Sequence, residues 1–381
     1  MEAIHGPLRR SRVALATIFF VNGAVLASWV AHIPAVKHRH AIGDGSLGLV
    51  LLSMALGAVL ALPLAGWLVD HFGSRRMTSV AALGFCLALP LPVLSPDVAL
   101  LVTALALLGA SNAVLDVSMN AQAVVVERLY RRSIMSSFHA LFSLGGVAGA
   151  ALAGLAMFLG TPPARHVVVT AGVAAAVVGG ALGSLVPPGP RRARAGPVVA
   201  RPSHRLLGLG LVAFLGLLAE GAMADWSAVY LHDVLGTSGA AAPAGFAAFS
   251  LAMAAGRLGG DRLADGLGPR GLLRASGAIA AAGLGIALLV GEPRIGIAGF
   301  ATVGLGIANI IPVTFGSAGR VSDVPAGTAL AAVATTGYFG YLAGPPLIGL
   351  VAEATSLPVG LALVSACCAL VAIRAGAVPR R

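Results

Sequence analysis

Twelve apolar runs, each about 20 residues or longer, divide the chain near 13–36, 45–69, 77–95, 98–126, 133–160, 166–186, 206–232, 241–264, 272–291, 295–318, 326–351 and 356–377. Hydrocarbon offers no partner to a backbone N–H or C=O, so runs of this length are read as membrane-crossing helices. Turn or charge signals mark every junction: KHRHAIGDG, DHFGSRR, LSPD, ERLYRR and TPPARH, then GTSGAAAP, DGLGPRG, GEPR, SDVPAG and TSLP. The chain has 381 residues, 58% of them apolar and 10% charged. Soluble domains are about 45–50% apolar and about 25% charged. That excludes a soluble enzyme, a disordered chain and a nucleic-acid-binding domain, despite a formal charge of +11. The expected class is an all-α, multi-pass membrane protein.

Charge gives an orientation. Lys37 is the single lysine, and the other basic residues are arginines. With both termini on one side, that side takes 21 of the 25 basic residues; Lys37, Arg39, Arg165 and Arg294 remain opposite. The positive-inside rule makes the crowded side cytoplasmic, in the plasma (inner) membrane. Arg9, Arg10 and Arg12 precede a run from Val13 to Val30 that outlasts a cleavable signal, so it is read as a retained first span. Cys86, Cys367 and Cys368 lie in apolar runs with no metal-ligand spacing, so neither a zinc site nor a disulfide framework is implied.

The longest polar stretch, PPGPRRARAGPVVARPSHR, separates two sets of six spans. The expected organisation is a first bundle over 1–186, a basic cytoplasmic linker over 187–205 and a second bundle over 206–381. An internal repeat supports it. A shift of 195 residues carries Asp70, Gly73 and Arg75 onto Asp265, Gly268 and Arg270, and Gly145, Gly149 and Gly154 onto Gly340, Gly344 and Gly349. It also carries Gly109 onto Gly304, whereas Asn22-Gly-Ala matches Glu220-Gly-Ala at 198. Parallel repeats of this kind place a site near the midplane between the halves.

After the second span the chain reads Gly66-Trp-Leu-Val-Asp70-His-Phe-Gly73-Ser-Arg75-Arg76. An acid at a helix end, a glycine for the turn and surface arginines suit a charge–dipole contact that one conformation makes and another breaks. The bland reading is a helix stop followed by positive-inside arginines. The segment resembles the signature loop of the major facilitator superfamily, GxxxDxxGxRR, with His71 at a commonly basic position. The second copy keeps Asp265, Gly268 and Arg270 but carries Asp261 in place of the leading glycine. The resemblance covers nearly the whole chain. It implies two pseudo-symmetric six-helix bundles rocking around a cavity lined mainly by spans 1, 4, 7 and 10. Gly340-Tyr-Leu-Ala-Gly344-Pro345-Pro346 resembles a motif that drug–proton antiporters of the superfamily carry in span 5, where this chain has Ala150 instead of proline. The span-4 text GASNAVLDVSMNAQ followed by IMSSFHALFSLGG is similar to the fucose-permease-like branch.

Charged side chains within spans are costly and usually face a cavity or a partner. Three acids lie deep: Asp116, Glu220 and Asp225. Asn112, Asp116 and Asn120 recur every four residues on one face of span 4, with Asp116 roughly 18 Å from Arg128. They bind polar solute groups and carry a proton, or they form a structural seam. Glu220, roughly 21 Å from Arg205, serves coupling or solute contact, or pairs with an arginine, chiefly Arg257 near an inner helix end. Asp225 fits an outer gate or water contact as well as binding. His139 is a proton relay or a packing histidine, and His32 an outer-interface residue. Trp29, on the Asn22 face, stacks on a solute ring or anchors at the interface. Asn309 lines a cavity beside a bend at Pro312; Tyr338 and Tyr341 are lesser candidates.

The leading expectation is a secondary active transporter for a small organic solute, coupled to protons through Asp116 or Glu220 and working by alternating access as a monomer. Sugar-like uptake by symport, efflux of drugs or secondary metabolites by antiport, and uncoupled facilitation are the variants. A non-transporting membrane sensor is the alternative of another class. No P-loop, HExxH or GxSxG text is present, so no enzymatic activity, cofactor or metal is expected beyond protons as coupling ion.

Overall fold

In the computed structural model the described residues are 2–131, 134–187, 204–318 and 326–378, all of whose regular structure is helical. The expected linker falls mostly outside them, as do Arg132 and the SDVPAG junction. Helices α1 (Glu2–Arg39), α2 (Asp44–Phe72), α3 (Ser74–Leu94), α4 (Val98–Tyr130), α5 (Met135–Phe158) and α6 (Pro163–Leu182) form the first set. The second begins with α7 (His204–Val229), which ends in a π-helical turn, Tyr230–Val234. The helix Ala244–Val290 is broken at Gly268 into α8 (244–267) and α9 (269–290). It is followed by α10 (Pro293–Ala318), α11 (Ala326–Ala354) and α12 (Leu357–Arg374). Among the described residues, ten of these helices are long and apolar enough to cross a membrane.

Two breaks have local causes. Gly73 and Gly268 hold φ of 85° and 69° with extended ψ, a conformation that costs a residue bearing Cβ. α10 is interrupted at Ala308–Asn309; Pro312 supplies no N–H and its ring would press on the carbonyl four residues back, at Ala308.

Contacts divide the chain into two compact units. The first comprises Met1–Ile42, Val50–Arg192 and Ser238–Ala247; the second comprises Gly43–Leu49, Ala193–Thr237 and Ala248–Arg381. The two short pieces, at the starts of α2 and α8, begin 195 residues apart, at Gly43 and Ser238. Each thus groups with the opposite set of helices.

In the first unit α1 is the central helix: 67% of its apolar window is buried, against 39% for α4 and 33% for α6. It packs on α5, where a methyl on Gly145 would strike the carbonyl oxygen of Phe20. In the second unit α7 is 72% buried and packs on α11, where Gly340 meets the carbonyl of Phe214 in the same way. Gly109 meets Met54 as Gly304 meets Phe249. The small residues therefore bring backbones together, as expected where membrane helices associate by packing.

These contacts correct one register. Gly145 and Gly340 are 195 apart, but Phe20 and Phe214 are 194 apart. The packing register of α1 and α7 thus sets Asn22 opposite Gly216, not Glu220. The shared Gly-Ala text that suggested 198 is not what the facing helix reads.

Candidate functional site

On α4, Asn112, Asp116 and Asn120 are all half-buried, between flanking residues such as Leu115, Ser118 and Met119 that are fully buried. The face predicted from four-residue spacing therefore exists. Asn120 Nδ2 donates to Asp116 Oδ1 at 2.9 Å and to the Asp116 carbonyl at 2.9 Å. The amide fixes one carboxylate oxygen by a charge-assisted bond. Asn112 Oδ1 is buried with no hydrogen-bond partner. A polar group that leaves this face incompletely satisfied is a place where a solute or water gains a bond.

On α7, Glu220 is 20% exposed and its Oε1 lies 3.5 Å from Arg257 Nη2 of α8. The arginine pairing weighed against coupling in the sequence is present. The reason is the length of α8, which runs to the break at Gly268, placing Arg257 about 16 Å from that turn. Asp225, also half-buried, makes no hydrogen bond or ion pair among the described residues. Asn309, 6% exposed, donates from Nδ2 to the Gly256 carbonyl at 3.1 Å. Its Oδ1 fills the space a methyl on Gly260 would need. Asn309 thus ties α10 to α8 one residue from Arg257.

Asn22 and Trp29 are both 2% exposed on α1. Asn22 Nδ2 reaches Met119 Sδ at 3.7 Å, while Asn22 Oδ1 and Trp29 Nε1 have no partner. Asn22 therefore adjoins the α4 face and Trp29 lies inside the unit. His139 of α5 is half-buried with its ring edge-on to Phe19, 5.5 Å between centroids.

His32, expected at the outer interface, is fully buried. Its Nε2 is 2.8 Å from His166 Nδ1, and His166 Nε2 is 3.3 Å from Thr170 Oγ1. His32 Nδ1 has no partner. These contacts link His32 of α1 through His166 to Thr170 of α6. No sequence signal joins residues 134 positions apart.

Two arginines of the signature loops reach helix ends of their own units. Arg75 donates to the Gly183 carbonyl at 3.3 Å, where α6 ends. Arg270 donates to the Val378 carbonyl at 3.3 Å and the Gly376 carbonyl at 2.7 Å, just past α12. Donors and first acceptors are both 195 apart, so the repeat extends to this contact. Cations at helix C-termini satisfy orphan carbonyls and oppose the dipole. Asp70 is exposed, with His71 stacked on Trp67, 5.1 Å between centroids. Gly66 lies on the last turns of α2, Arg76 begins α3 and Asp265 ends α8. Sequence reasoning missed Glu353 of α11, whose Oε2 accepts from Gly45 N–H at 3.0 Å and so caps α2.

The sequence profile of the Major Facilitator Superfamily matches residues 13–345. The chain is 38% identical over 369 residues to an uncharacterised MFS-type transporter of Yersinia pestis, covering 97% of this chain and 96% of that one. It is 38% identical over 346 residues to the membrane protein MosC of Rhizobium meliloti, covering 90% and 84%. Among solved structures it is similar to the nucleoside transporter NupG, TM-score 0.76 at 14% identity over 96% of this chain and 98% of that one. A bacterial homologue of the lysosomal transporter Spinster gives 0.72 at 15% identity over 98% and 94%.

Proposed function

Since the chain belongs to the major facilitator superfamily and is a multi-pass membrane transporter, we propose that it moves a small polar organic solute by proton-coupled alternating access. The observation that supports this reading most is the α4 face. Asp116 is held by Asn120 and flanked by Asn112, whose oxygen is unpartnered. A carboxyl so placed exchanges a proton while its amide neighbours accept and donate to hydroxyl or amide groups of a solute.

Glu220 and Arg257 form the second element. Protonating Glu220 or presenting a competing anion breaks this contact, and either event alters the charge that the second unit carries through the bilayer. Asp225, with no counter-ion among the described residues, sheds its charge by taking a proton. Asn22 and His139 serve the solute contacts beside the α4 face, with Trp29 packed inside the unit, while Asn309 positions Arg257. Asp70, Gly73, Arg75 and Arg76 with Asp265, Gly268 and Arg270 hold the helix ends that shift between states. The coupling ion is the proton, with no further cofactor or metal. The protein works as a monomer of two six-helix halves in the inner membrane, termini cytoplasmic.

The experiment is solute flux into proteoliposomes with and without an imposed pH gradient. Sugars, the arm suggested by the fucose-permease-like text, are tested beside nucleosides and efflux substrates. Binding without flux under every gradient would favour a sensor instead.

A further inference from the structure

We infer that the groove between the N-terminal turns of α1 and the C-terminal turns of α6 is a binding site for an anionic phospholipid. The groove encloses about 580 Å³ and is lined by Arg9, Arg10, Val13, Ala14, Thr17, Val177, Gly180, Ala181 and Ser184. Its composition is graded. Arg9 and Arg10 line it toward the start of α1, and a wall of small, mostly apolar residues follows. Arg9 to Thr17 spans about 12 Å of helix, room for a phosphate headgroup and the first part of an acyl chain.

Sequence explains the opening. Ala14, Gly180, Ala181 and Ser184 are too small to close the gap, and a methyl on Gly180 would meet nothing within 4 Å. Val13 is 58% and Val177 44% exposed, so apolar surface faces outward where lipid chains run. The charge is available as well. Arg12 is engaged over the ring of Tyr130, 5.3 Å to the centroid, whereas Arg9 and Arg10 make no ion pair or hydrogen bond among the described residues. A guanidinium pair matches the planar, bidentate geometry of a phosphodiester. Basic pockets between membrane helices bind anionic headgroups on the same physical basis.

In the second unit the position corresponding to Ala14 is in contact. There the turn Ala375–Ala377 follows α12, and a methyl on Gly208 would stand 3.0 Å from Ala377 Cβ. At the packing register of 194, Gly208 corresponds to Ala14. The two copies therefore differ among the described residues, and in the sequence Ser203 and His204 stand where Arg9 and Arg10 do.

The test is native mass spectrometry of the full-length protein in detergent, titrated with dioleoylphosphatidylglycerol or dioleoylphosphatidylcholine. Phosphatidylglycerol is expected to be retained preferentially. R9Q/R10Q is expected to weaken that retention about tenfold or more, while R165Q/R294Q, which removes two exposed arginines elsewhere, leaves it unchanged. G180L, which fills the groove where the fold has space, is expected to weaken it with both arginines intact. Equal retention of the two lipids, or full retention in R9Q/R10Q or in G180L, overturns the proposal. So does complete displacement by equimolar glycerol 3-phosphate, which would assign the site to soluble phosphate.

Discussion

Arg257 on α8 faces Glu220 on α7, guanidinium nitrogen to carboxylate oxygen at 3.5 Å, with side chains only 17% and 20% exposed. Removing the arginine strands the Glu220 carboxylate in a poorly solvated place, whereas removing both groups does not. E220Q and R257M are each expected to destabilise the protein by about 1–3 kcal/mol. E220Q/R257M should recover part of that loss, with a coupling of about 1 kcal/mol or more. Thermal unfolding of the four proteins in one detergent measures it. Additive losses would mean that the two groups do not stabilise each other.

The α1–α5 and α7–α11 contacts make a matched prediction. Gly145 and Gly340 each face a backbone carbonyl that cannot move aside, Phe20 and Phe214 respectively. G145V and G340V should each cost about 1–3 kcal/mol or more by forcing helices apart. Gly172 has nothing within 4 Å of an added methyl. G172A should therefore stabilise α6 by about 0.5–1 kcal/mol. Thermal shift compares the three directly, and a G145V as stable as G172A contradicts the packing.

Arg75 and Arg270 should have separable local effects. R75A removes the donor to the Gly183 carbonyl and R270A the donor to the Gly376 and Val378 carbonyls. Each loss is worth about 0.5–1.5 kcal/mol per bond. Hydrogen–deuterium exchange should quicken at the C-terminal turn of α6 in R75A alone, and of α12 in R270A alone. Exchange that quickens at both ends in either variant would show that the arginines act on the whole molecule.

Much of the fold was legible because its determinants are local. Apolar length marks a span, and Gly73 and Gly268 mark breaks, without knowledge of any neighbour. The 195-residue repeat was legible where glycines and arginines recur in contact, as Arg75 with Gly183 and Arg270 with Val378 do. It misled at Asn22 and Glu220, because two shared letters there say nothing about which residue the facing helix touches. The α4 face could be read from spacing alone, since all three residues sit on one helix. His32–His166 and Glu353–Gly45 could not, and Glu220–Arg257 was legible only as one of two readings of Glu220. Each joins two elements, and only packing decides which polar groups meet.

Asp116 carries the central claim. D116N keeps an acceptor oxygen for Asn120 but has no proton to release, so solute contacts should survive while coupling is lost. The deciding measurement is solute movement in proteoliposomes, read two ways: accumulation under an imposed pH gradient, and solute–solute exchange with none. Wild type should do both for at least one solute, while D116N exchanges that solute but does not accumulate it. Accumulation by D116N at the wild-type level, or no solute moved by the wild type under any gradient, would contradict the account.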